Sequence, residues 1–192
     1  MISAAPKLRQ WTRAEYMKMA EVGIFATEER VELIEGKIIE MSPQNTSHAV
    51  VVSLISEALR VLFGENYYVR IRMPIEINEI SEPEPDVVVV PGTPRDYLSE
   101  HPKTAILIVE VSDSTLAYDR TQKTSLYAKA GIADYWIVNL INCRLEVYRE
   151  PAPMQDQPFG FGYKQITYYV ETDFVAPSAL PQLSIAVGEI LP

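Results

Sequence analysis

The sequence predicts an α/β protein: a mixed β-sheet flanked by helices, with additional antiparallel hairpins. Three observations carry that prediction. Two short apolar runs, at 87–90 and 106–112, have the continuous Val/Ile character of strands buried on both faces. The second run, a helical pattern at 121–130 and an apolar run at 135–140 form a β-α-β unit, so these two strands should be parallel with a right-handed crossover. A wide apolar face recurs over 48–63, as in a well-buried helix.

The remaining elements follow in order. Thr12 and Glu15 have capping-box spacing and start a first helix, which Gly23 ends. Residues 31–41 read as a hairpin turning at Glu35-Gly36. After a polar break at 42–47, Ser47 is the expected N-cap of the long helix and Gly64 its stop. Residues 69–77 alternate with period two, placing Arg70 and Arg72 on one polar side, while Pro74 points to an edge or bulge. An acidic loop leads to Pro85-Asp86 and the valine strand, and a short link at 95–103 leads on to the strand holding Glu110. Gly131 should cap the 121–130 helix, and Ile141-Asn142 should turn the chain into a partner strand at 144–148. A Pro/Gly-rich loop at 151–162, a strand at 164–170 and an apolar tail along the sheet edge complete the chain. The whole reads as one domain, 1–192: an N-terminal helix and hairpin (11–41), a core (48–148), and a C-terminal strand and tail (163–192).

Length and composition limit the function classes. The 192 residues suffice for a sizeable core, and 47% hydrophobic with 22% charged residues is an ordinary globular balance. No apolar run reaches the ~18 residues of a membrane span, and the first residues lack a basic-then-apolar signal pattern. The single cysteine, Cys143, excludes an internal disulfide and a multi-cysteine metal site, which favours a cytoplasmic location. A net charge of −9 argues against a broad basic surface that coats nucleic acid, though not against an enzyme with one local basic patch.

Two carboxylates stand out. Asp86 lies at the mouth of the valine strand, and Glu110 lies inside the next strand between apolar neighbours. A carboxylate buried there is costly unless compensated. Asp86 and Glu110 on adjacent strands, with the backbone carbonyl of Val111, suit a hard cation such as Mg²⁺ or Mn²⁺, and Lys123 could stabilise charge on a bound phosphate. The same residues admit a simpler reading, in which Asp86 ends a loop and Glu110 pairs with Lys123 without chemistry.

The order Glu84-Pro85-Asp86, then Val109-Glu110-Val111-Ser112, then Tyr118-Asp119-Arg120-Thr121-Gln122-Lys123 resembles the PD-(D/E)XK, or restriction-endonuclease-like, superfamily. More closely, the chain resembles the Uma-two-type family of restriction endonucleases. The matching segments run from Val31-Glu32-Leu33 through Ser42-Pro43 and His48 to the long block at 118–138. The superfamily's motif lysine falls at Ser112 here. The resemblance assigns its place to Lys123, and adds Glu32 as a residue near the metal and His48 as a contact to phosphate or water. Two further readings stay bland: Asp119 and Arg120 cap the helix or pair with each other, although Arg120 could also touch a phosphate, and Tyr127 packs beside Lys123.

The resemblance implies a metal-dependent endonuclease with DNA as substrate. The alternatives are a catalytically inactive nuclease-fold module that binds nucleic acid or protein, and a structural protein. A homodimer is expected, since two sites about a two-fold axis can cut both strands, with Tyr168 and Tyr169 as exposed candidates for the interface.

Overall fold

The structure is a computed structural model that describes residues 7–192. Its centre is a six-stranded sheet: β3 (Tyr67–Ile71), β4 (Val87–Pro91), β5 (Leu107–Ser112), β6 (Asp134–Asn139), β7 (Arg144–Pro153) and β8 (Phe161–Tyr169), in that spatial order. Every neighbouring pair is antiparallel except β5 and β6, which are parallel as the β-α-β reading requires. Ahead of the sheet come α1 (Arg13–Glu21), the hairpin strands β1 (Val31–Ile34) and β2 (Lys37–Glu40), and α2 (Thr46–Phe63). The β1–β2 turn places Glu35 at φ 45° and Gly36 at φ 75°. That two-residue geometry twists in the same sense as the strands. Gly36 has a second reason to be glycine: a Cβ there would meet Gln10 Cβ at 2.4 Å.

Each face of the sheet carries its own core. On one face α2 buries Val51, Val52, Ile55, Leu59 and Phe63 against Val87, Val89, Val109 and Trp136. By length and composition α2 could cross a membrane; here its apolar side is the cover of this sheet. The tail joins the same core through Val175, Ile185, Val187, Ile190 and Leu191, so it lies over the face beside α2 rather than along the edge. Two short tail strands, β9 (Phe174–Val175) and β10 (Ile185–Ala186), pair with each other. On the other face, α3 (Leu116–Tyr118) runs through a π turn (Asp119–Lys123) into α4 (Thr124–Lys129). Leu126, Tyr127 and Ile132 pack there against Val88, Ile108, Tyr135 and Ile137.

Several expected boundaries move. Asn45 caps α2 instead of Ser47, accepting the His48 N–H at 2.9 Å. The crossover helix starts at Leu116, five residues before the expected 121, because Asp113-Ser114-Thr115 turns the chain at once after β5. Strands β7 and β8 extend into both ends of the expected 151–162 loop and shorten it to 154–160. Pro151 and Pro153 are tolerated because β7 has by then passed the end of β6 and needs a partner on one side only. Of the two interface tyrosines, Tyr168 is exposed, while Tyr169 packs partly against the α2 core.

The expected strand at 69–77 ends at Ile71. Arg72 takes a left-handed conformation, φ 49°, and gives its N–H to the Asp86 carbonyl at 3.1 Å. The two arginines therefore do not share a polar side. Arg70 is buried, only 2% exposed, opposite Val88. Its Nη2 donates to His101 Nδ1 at 3.1 Å, while Nε and Nη1 have no partner among the described residues. Burial lowers its pKa, as expected for a cation with little compensation. Replacing it with an apolar side chain of similar length removes that cost. Arg70→Met should stabilise the protein by about 1 kcal/mol or more in a urea titration, and a loss of stability would show that the His101 bond compensates the charge in full.

Candidate active site

The register of β4 and β5 pairs Val87 with Val109, which puts Asp86 and Glu110 side by side at one end of the strands. Each carboxylate is held by the other's strand. The Asp86 N–H donates to Glu110 Oε2 at 3.2 Å, and the Val111 N–H donates to Asp86 Oδ2 at 2.9 Å. The pair is thus fixed by backbone before any side chain contributes.

Behind Glu110 stands Lys123, 1% exposed. Its Nζ donates to Glu110 Oε1 at 3.2 Å and to Glu32 Oε2 at 2.6 Å. Tyr127, one helical turn on, donates its hydroxyl to the same Glu110 oxygen at 2.8 Å. Glu32, expected from the N-terminal region, arrives on β1 fully buried and also accepts the Glu84 N–H at 3.1 Å. Among the described residues its Oε1 has no partner. Asp119 and Lys123 stand four residues apart, a spacing that puts both on one side of a helix, and the π turn Asp119–Lys123 is the segment that carries them.

In front of Asp86 lies a polar cavity of about 50 Å³. Asp86, Glu110, Val111 and Asp119 line one side, and Gln44, His48, Asn45 and Arg30 the other. His48 Nε2 and Gln44 Nε2 both lie 3.0 Å from Asp86 Oδ1, and 2.9 Å from each other. Asn45 fixes this corner twice, capping α2 through its side-chain oxygen and donating Nδ2 to Asp113 Oδ2 at 2.8 Å. Asp119 accepts from the Ser112 and Thr115 hydroxyls at 2.6 and 2.7 Å. Arg120 turns the other way, onto Glu146. The two neighbours therefore neither cap the helix together nor pair with each other.

The site holds more negative than positive charge. Burial pushes the Glu110 carboxyl well above the usual range; Lys123 opposes this, and Asp119, Asp86 and Glu32 add to it. Burial likewise raises Asp119, against the pull of Lys123 and two hydroxyl donors. Burial alone would lower Lys123, but Glu110, Glu32 and Asp119 outweigh it and keep the ammonium charged. Such a surplus suits a cation. Two carboxylates and the Val111 carbonyl at a small polar cavity fit a hard ion that keeps much of its water. Among the described residues no three His, Cys, Asp or Glu side chains converge as a complete cage would require, so the donors do not fit a closed zinc centre.

The expected residues Asp86, Glu110, Lys123, Glu32 and His48 are thus gathered in one place. Lys123 and Glu32 lie behind the carboxylates; His48 lies at the cavity. Gln44 and Asp119 were not read from the sequence as site residues. The weak signal for Gln44 is its place four residues before His48, next to the helix cap.

Comparison with known proteins bears on family and fold. Residues 13–188 match the Uma2 family, described as "Putative restriction endonuclease". A crystal structure of a putative nuclease belonging to DUF820 from Anabaena variabilis ATCC 29413 superposes with a TM-score of 0.68, over 93% of this chain and 96% of that one, at 16% identity. At that identity the likeness concerns the fold. No curated protein matches.

Removing Lys123 would leave Glu32 and Glu110 buried together without their cation. Lys123→Met should cost about 3–5 kcal/mol at neutral pH by denaturant titration. A stranded Glu110 carboxylate has its folded pKa raised, so its penalty exists above the unfolded value and fades as pH falls towards that value. The deficit should therefore shrink towards pH 4.5; a deficit that does not change with pH would place its cause in packing.

Proposed function

The chain belongs to the Uma2 family, and from that premise we propose that it is a divalent-metal-dependent endonuclease that hydrolyses phosphodiester bonds in DNA. The observation that carries this reading is the Asp86–Glu110 pair, locked by reciprocal backbone hydrogen bonds at the rim of a polar cavity. Mg²⁺ or Mn²⁺ held by Asp86, Glu110 and the Val111 carbonyl would polarise a phosphoryl oxygen and make bound water more acidic.

The chain's own residues have distinct tasks in this reading. Asp86 and Glu110 present carboxylate oxygens that cannot swing away, since backbone N–H groups hold them. His48 and Gln44 orient Asp86 Oδ1 from the cavity side and are placed to meet a phosphate oxygen. Lys123 is a positioning residue. It is buried behind Glu110, stays protonated, and so favours the ionised form of Glu110 without serving as a base. The cationic groups at the cavity itself are Arg30 and, when protonated, His48.

Plasmid nicking at low salt with Mg²⁺ or Mn²⁺ tests the proposal. Wild type should convert supercoiled DNA to nicked circles, and chelator should stop it. Glu110→Gln and Asp86→Asn should each lose roughly 100-fold or more. A folded wild-type protein that cleaves nothing with either metal would contradict the reading in favour of a nuclease-fold binding module, which the net charge of −9 also suits.

A further inference from the structure

A second cluster lies on the same face of the sheet as Glu110. The strand registers set Glu110 beside Ile137, Ile137 beside Glu146, and Glu146 beside Tyr168, in one row across β5, β6, β7 and β8. Directly paired residues point to the same face, and two strand spacings separate Glu110 from Glu146 by about 10 Å.

Glu146 is fully buried and its carboxylate is saturated. Arg120 Nε donates at 2.9 Å and its Nη2 reaches the other oxygen, Arg144 Nε at 3.0 Å, Asn139 Nδ2 at 2.7 Å and Tyr148 Oη at 3.0 Å. Two guanidinium groups thus share one carboxylate, which leaves one positive charge uncompensated. Among the described residues, Arg120 Nη1 and both Nη atoms of Arg144 have no hydrogen-bond partner and are not sealed from solvent. They border a cavity of about 300 Å³, with exposed Tyr168 stacked 4.2 Å from the Arg144 guanidinium. Asp119 lines the carboxylate cavity and its neighbour Arg120 lines this one.

We propose that Arg120 and Arg144 form a second phosphate-binding subsite, one that grips the backbone of a nucleic-acid strand whose reacting phosphate lies at Asp86 and Glu110. The inference rests on the nuclease reading. Glu146 is the fixed post that sets both guanidinium planes, and the outward N–H groups form the fork that suits a phosphate. Phosphates recur regularly along each strand of a duplex, so clusters this close on one face can contact phosphates within a few nucleotides of each other. In a chain of net charge −9, a local cationic surplus beside the carboxylates directs a polyanion to the site without a broad basic face.

The test is fluorescence anisotropy with a labelled 16-base-pair duplex, in a Glu110→Gln background that cannot cut it. Adding Arg144→Ala should weaken binding roughly tenfold and lower the slope of log Kd against log salt by about one. Arg144→Lys should retain more affinity than Arg144→Ala. Arg95→Ala, at the opposite end of β4 from Asp86, makes the same charge change and should leave affinity unaltered. Circular dichroism confirms that each variant is folded. If Arg144→Ala binds as its parent does, the subsite is overturned while the nuclease reading stands. If Arg95→Ala weakens binding as much as Arg144→Ala does, the effect is one of net charge and the subsite falls. If the parent binds no duplex and wild type cuts no plasmid, both readings fall together.

Discussion

One buried ammonium in a surplus of carboxylates is the constraint on which this structure turns. Among the described residues Lys123 is the single cation in direct contact with Glu110 and Glu32, and Asp86 and Asp119 stand close enough to raise the proton affinity of Glu110 further. A surplus of that kind is unfavourable in a core unless protons or another cation relieve it. The fold maintains it through hydrogen bonds from other segments of the chain. Backbone N–H groups of Asp86 and Val111 hold the carboxylates, the Tyr127 hydroxyl fills a lone pair of Glu110, and the Glu84 N–H fills one of Glu32. The unpartnered Glu32 Oε1 marks where this compensation ends.

The topology explains why five distant segments meet. Antiparallel β4 and β5 bring the start of one strand beside the end of the other, which joins Asp86 to Glu110. The parallel step from β5 to β6 requires a crossover helix on one face, and that helix delivers Lys123 and Asp119 to one side and Arg120 to the other. A helix repeats its faces every three to four residues, so Asp119 and Lys123 share one side while Arg120 takes another. The hairpin strand β1 then closes the site from above with Glu32, and the cap of α2 closes it from the side with Gln44 and His48.

Much of this was legible in the sequence, for reasons that differ by residue. Asp86 and Glu110 were visible because a charge in an apolar strand needs an explanation. The capping box at Thr12 and Glu15, and the turn at Glu35-Gly36, are local chemistry and appear as read. Lys123 was readable as the cation that a buried Glu110 needs, whereas Glu32 came from resemblance, since nothing in the spacing shows that residues 91 positions apart share a hydrogen bond. Gln44, Asp119 and the joining of Arg120 to Glu146 and Arg144 were out of reach because packing between distant segments creates them; of that cluster only a phosphate contact by Arg120 was suggested. Arg70 misled because the period-two pattern continues through Arg72, while the backbone leaves the strand at that residue by turning left-handed.

The central claim is that the surplus of carboxylate charge is a site for a divalent cation. Calorimetric titration of Mn²⁺ into the wild-type protein and into Glu110→Gln tests it without reference to any substrate. The account predicts binding to wild type with release of protons below neutral pH, because the cation takes the place of the proton that burial favours on Glu110, and loss of that binding in Glu110→Gln. Equal binding by both proteins, or none by either, would contradict it.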